Sequence, residues 1–127
     1  MALRLTKDDG EDIGFVKSCF FMGIIDFNEL QRWLHHVVET QDDLPDYIWS
    51  MLDMKDKFDF KPLKVLGFTP YWDHSREEEQ ALAGIGYLRS STFTSDLASK
   101  TDAIKLLDDN PHIHERFQHT FPFLTIH

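Results

Sequence analysis

Cysteine is almost absent from this 127-residue chain, and the single residue Cys19 leaves nothing for an internal disulfide to join. Basic residues are scarce as well, 13 Lys and Arg against 22 Asp and Glu. The resulting net charge of −9 repels phosphate backbones and attracts basic proteins. No direct nucleic-acid ligand is therefore expected. Long apolar runs are missing too. The longest candidate, FFMGII at residues 20–25, falls far short of the roughly 20 residues that span a bilayer. The chain does not start with a basic region followed by an apolar stretch, so the expectation is a soluble protein of the reducing cytoplasm with no membrane partner. The glycine motifs that cradle phosphate or present a serine, GxxxxGK[ST], GxGxxG and GxSxG, do not occur.

Apolar and aromatic material, by contrast, is plentiful. It makes up 42% of the residues, with eleven Phe, three Trp and three Tyr, enough for a chain of this length to bury a core. The spacing predicts an all-α fold: one domain over 1–127, a bundle of about five to six helices with a long irregular connector near residues 55–72. Thr6 and Asp9 stand as the opening of a first helix carrying Ile13, Val16 and Phe20, and Gly23 fits the left-handed position after it. Asp26 with Glu29 reads as a capping box for a second helix, whose apolar face is Phe27, Leu30, Leu34, Val37 and Val38.

Pro45 at a first helical position starts a short third helix with Ile48, Trp49 and Leu52 inward. Pro62, Gly67 and Pro70 cut the connector into extended or single-turn pieces anchored by Phe58, Phe60, Leu63, Leu66 and Phe68, with room for a short strand between Lys57 and Phe68. Ser75 with Glu78 caps a fourth helix that buries Ala81, Leu82, Ile85 and Leu88, and Gly84 and Gly86 allow close backbone approach. Ser99 and Asp102 open a fifth helix through Leu107. Asn110-Pro111 opens a sixth, which ends near Phe121-Pro122.

Catalytic chemistry has few carriers. Four of the seven histidines lie in the tail, His112, His114, His119 and His127, but on a helix beginning at Pro111 only His112 and His119 share a face, with His114 about 200° from His112. A zinc site there needs ligands from another element, so no metal and no cofactor are expected. His35 and His36 project about 100° apart, and HHVVE does not match HExxH. Cys19 sits in the apolar stretch CFFMG, where a thiol packs as a small hydrophobe. The pairs Asp42/Asp43 and Asp108/Asp109 are sequence neighbours beside helix ends, where carboxylates serve as solvated caps more readily than as a general acid and base.

Surface recognition remains. The segment YWDHSREEEQ sets Tyr71 and Trp72 beside Asp73, Glu77, Glu78 and Glu79, aromatic anchors among negative charges. The bland alternative puts Trp72 in the core and the three glutamates at the positive end of a helix dipole. A second segment, QDDLPDYIW, offers Asp42, Asp43 and Asp46 with Tyr47 and Trp49, although the third helix's spacing turns Trp49 inward.

The stretch FFMGIIDFNELQRWLHHVVE followed by DLPDYIWSMLD, with the later GFTP and EEEQALAGIGYLRS, resembles small bacterial immunity proteins of contact-dependent growth-inhibition and polymorphic toxin systems. The resemblance implies a cytoplasmic antidote, not an enzyme, that binds and neutralises the C-terminal domain of a cognate toxin, in many cases a basic nuclease. Immunity families share no common interface, so the resemblance carries over no binding residue. Two other readings stand beside it: a metal-dependent helical enzyme using the C-terminal histidines, and a regulatory helical module that binds an endogenous protein. The sequence leaves the oligomeric state open.

Overall fold

The computed structural model describes residues 2–126 and is all-α, with no strand among them. Its helices are α1 (Glu11–Phe21), α2 (Phe27–Thr40), α3 (Tyr47–Leu52), α4 (Pro62–Leu66), α5 (Arg76–Arg89), α6 (Lys100–Asp109) and α7 (Pro111–Thr120), with one 3-10 turn at Lys57–Asp59. The count exceeds the expected five to six because the connector holds α4. Its sequence PLKVL starts on a proline at the first helical positions and ends on Gly67, whose φ of 84° closes it left-handed. A strand between Lys57 and Phe68 is thereby excluded. By internal contacts the chain divides into two compact units, one of residues up to Phe20 with Asp26–Trp72, the other of Phe21–Ile25 with the residues from Asp73 onward.

In the first unit, α1 begins later than Thr6 and Asp9 suggest. Those two residues exchange backbone hydrogen bonds, Thr6 N to Asp9 O at 3.1 Å and Asp9 N to Thr6 O at 3.2 Å, so they close a turn before the helix. Asp12 secures the segment leading into α1 by accepting from the Arg4 backbone N–H at 2.7 Å and from its guanidinium at 3.0 Å. Helix α2 has the expected capping box, with Glu29 N–H donating to Asp26 at 2.8 Å and Asp26 N–H to Glu29 at 2.9 Å. It buries Leu30, Trp33, Leu34 and Val37.

Helix α3 starts at Tyr47, two residues after Pro45, and its phase differs from expectation: Tyr47, Ile48 and Met51 are buried while Trp49 is 51% exposed. Two long-range bonds set that phase. The Tyr47 hydroxyl donates to the Leu5 carbonyl, and Gln31 Nε2 donates to the Met51 carbonyl at 3.0 Å. Burial holds the Tyr47 hydroxyl protonated far into the alkaline range.

Trp72 closes the first unit against α1. Its ring meets Phe15 edge-on at 5.1 Å, and its indole N–H donates to Ser18 Oγ at 3.0 Å. Gly14 makes room for this: a Cβ there would stand 2.4 Å from the Tyr71 carbonyl carbon and 2.7 Å from the Trp72 nitrogen. Of the expected connector anchors, Phe60 and Leu66 are buried, whereas Phe58 and Leu63 point outward.

The second unit is built on α5 against α6. Gly84 is required there, since a Cβ would lie 2.6 Å from the Ala103 carbonyl oxygen. Gly86 lies under the Phe93 ring, which stacks edge-on against Tyr87 at 4.9 Å. Ser99 caps α6 through Asp102 N–H, as its spacing suggests. Asn110 turns back to donate to the Leu106 carbonyl instead of capping α7 forward. Arg89 at the end of α5 donates to the carbonyls of Ile24 and Thr125, tying residues 21–25 and the tail to the helix pair.

Gly14→Ala is expected to lower stability by about 1–3 kcal/mol, the range for an added group in a packed site. Urea denaturation measures it, and an unchanged midpoint would show that the Tyr71–Trp72 backbone does not lie against α1.

Candidate functional site

The glutamates expected to grip a partner are largely committed within the second unit. Ser75 N–H donates to Glu78 Oε1 at 2.9 Å, and Glu78 N–H donates to Ser75 Oγ at 3.1 Å, completing the capping box of α5. The other oxygen of Glu78 lies 2.7 Å from His112 Nε2, and Glu79 lies 3.1 Å from His74 Nε2. Glu77 is exposed with no such tie. The cap from Ser75, and then His112, hold the Glu78 carboxyl below the usual glutamate range.

The aromatic half of that segment belongs to the other unit. Tyr71 is exposed, but Trp72 is 1% exposed and its one polar atom is bonded to Ser18, so the bland alternative describes Trp72 correctly. Asp73 is exposed.

The second segment fares differently. Asp42, Asp43 and Asp46 are all exposed and lie in the first unit immediately before α3. Asp43 adopts a left-handed φ of 53°, a conformation Asp tolerates better than most residues, and it turns the chain between α2 and α3. This loop walls a cleft of about 370 Å³ whose opposite side is Ala2, Leu3, Leu5 and Thr6. Leu3 N–H donates to Gln41 Oε1 at 2.9 Å across it.

Beyond the loop, the outer side of α3 presents Asp46, Trp49, Ser50 and Asp53, spaced three, one and three apart and all exposed. Asp46 makes no side-chain cap bond, and among the described residues none of Asp42, Asp43, Asp46 and Asp53 has an ion-pair partner. Trp49 and Asp53 are thus the residues that sequence spacing did not assign to a binding surface. The signal for them is the alternative helical phase, with Tyr47, Ile48 and Met51 inward.

The arrangement can present a flat indole, at low entropic expense, between two unneutralised carboxylates on a helix fixed at both ends, with two more in the loop before it. Metal chemistry finds no such convergence: among the described residues no three His, Cys, Asp or Glu side chains are placed to hold an ion, and His127 lies outside them. Cys19 is buried in the α1 core. No helix among the described residues is long and apolar enough to cross a membrane. No protein-family model, curated protein or solved structure matches the chain.

The pKa of Glu78 carries a pH signature. Because its folded value is depressed, its contribution is complete above the unfolded glutamate pKa and is lost as pH falls through the folded one. Glu78→Gln should therefore lower stability most at neutral pH and flatten the acid side of a stability-against-pH curve, the two proteins converging as pH falls. Parallel acid limbs for the two proteins would show that the cap and His112 do not favour the carboxylate.

Proposed function

We propose that this protein is a binding module that captures a basic protein partner through the loop and outer face of α3, and that it acts as an immunity protein neutralising a cognate toxin domain in the cytoplasm. One observation carries the reading: Trp49 stands 51% exposed between Asp46 and Asp53 on a helix pinned by Tyr47 and Gln31, with exposed Asp42 and Asp43 in the loop that leads into it. Exposed indole supplies the contact area typical of a binding hot spot, while unpaired carboxylates speed encounter with a positively charged surface. The chain's charge of −9 acts in the same direction at longer range. A nuclease is the toxin class that this charge suits best, because a cleft that binds phosphate is basic and an acidic module competes for it electrostatically.

The test is calorimetry with the catalytically inactive toxin domain encoded beside this chain. Trp49→Ala should weaken binding by about 2 kcal/mol or more, roughly thirtyfold, with little effect on folding. Asp42→Asn, Asp43→Asn and Asp46→Asn together should reduce the salt dependence and the association rate, with Glu77→Lys as a nearly neutral control. Full affinity in the Trp49→Ala protein would place the interface elsewhere. Absence of binding to the toxin domain, with capture of an endogenous basic protein through the same residues, would reassign the module to a regulatory role.

A further inference from the structure

A second surface of the first unit is opposite in sign to the rest of the chain. Lys55, Lys57, Lys61 and Lys64 fall within ten residues and are all exposed. Among the described residues none of their ammonium groups has a carboxylate within ion-pairing distance, in a chain with 22 acidic residues. The two carboxylates between them face the backbone. Asp56 accepts from Phe58 N–H at 2.8 Å, and Asp59 accepts from Lys55 N–H at 2.7 Å.

Apolar surface accompanies this charge. Phe58 and Leu63 are the most exposed large hydrophobic residues, at 73% and 67%. Lys57 Nζ lies 5.2 Å from the Phe58 ring centre, and Lys61, Pro62, Leu63, Lys64 and Thr69 line a shallow depression. Phe60, between them in sequence, turns inward onto Phe20, which fixes the outward direction of its neighbours.

We propose that this Lys55–Lys64 surface docks a second copy of the chain, taking the outer face of the copy's α3. The complement is on the same unit: exposed Trp49 with Asp46 and Asp53 beside it and Asp42 and Asp43 in the preceding loop offers, among the described residues, four aspartates without ion-pair partners, against four such lysines in the stretch that exposes Phe58 and Leu63. A two-fold pair forms the contact twice, each copy giving its acidic face and receiving on its basic one. Opposite charges at close range persist when salt screens the repulsion between the two net-negative chains, because charges more than about 8 Å apart are screened at physiological ionic strength. An anionic lipid surface suits the lysines but must also accept the rest of a chain whose net charge is −9. The paired form covers Trp49, so self-association and capture of a basic partner compete for one face. The pairing itself rests on the surface chemistry of the first unit and is tested without any partner, so its failure leaves the partner reading intact.

Sedimentation velocity of the whole chain over a range of concentrations is the test. The expected result is a reversible dimer at physiological salt that dissociates more readily at high salt. Lys61→Glu with Lys64→Glu should weaken it at least tenfold, as should Asp42→Lys with Asp46→Lys. Mixing the two variants should restore association, since each then supplies the charge the other lost. Phe58→Ser, at a site with no core role, gives the same loss without altering charge. Circular dichroism confirms that each variant remains helical.

A wild-type chain that stays monomeric at every concentration would overturn the proposal. So would a dimer indifferent to both charge reversals, or variants that fail to associate on mixing. Binding to phosphatidylserine vesicles through the same lysines, without self-association, would assign the surface to lipid instead.

Discussion

Gly14 has no side chain, and the backbone of Tyr71 and Trp72 occupies the space one would fill. That close approach lets a residue 54 positions along the chain from Ser18 set its indole N–H on the Ser18 hydroxyl and its ring edge-on to Phe15. Trp72 is thereby enclosed, and Phe15, Val16 and Cys19 of α1, like Leu30, Trp33 and Leu34 of α2, are fully buried. Phe68, a few residues before Trp72, reaches Tyr47 edge-on at 6.1 Å, and Tyr47 holds the N-terminal segment through the Leu5 carbonyl. The placement of α3, and therefore of Trp49, follows from the same closure.

Within the acidic surplus, two groups of carboxylates have different physical roles. Asp26, Glu29, Asp56, Asp59 and Glu78 satisfy backbone N–H groups that the ends of helices and turns leave without partners. Among the described residues Asp42, Asp43, Asp46 and Asp53 satisfy none and remain in water, where their charge contributes to the field around the molecule. Among the described residues the lysines of 55–64 likewise have no ion-pair partner. The first unit thus carries exposed charge of both signs on neighbouring stretches of its chain.

The local signals were readable in the sequence because their causes are local. The boxes at Asp26/Glu29 and Ser75/Glu78 and the cap at Ser99 involve residues three apart, and each appears where its spacing puts it. Gly23 takes its left-handed φ of 80° for the same reason. The phase of α3 was not readable. Tyr47, Ile48 and Met51 have the same spacing as Ile48, Trp49 and Leu52, so a six-residue helix offers two equivalent apolar faces. Contacts from Leu5 and Gln31, distant in sequence, choose between them. Trp72 is the converse case: its acidic neighbours mark a surface segment, yet Gly14 and Ser18 draw the ring inside. Phe58 and Leu63 sit in a run of alternating charge and bulk that has no periodicity from which direction can be read.

Everything proposed for this protein depends on Trp49 being the open tryptophan while Trp33 and Trp72 are enclosed. Acrylamide quenching of tryptophan emission in dilute protein measures this directly. The account predicts a readily quenched component in the wild type that disappears in Trp49→Phe, leaving only shielded emission; a readily quenched component that survives in Trp49→Phe would contradict it.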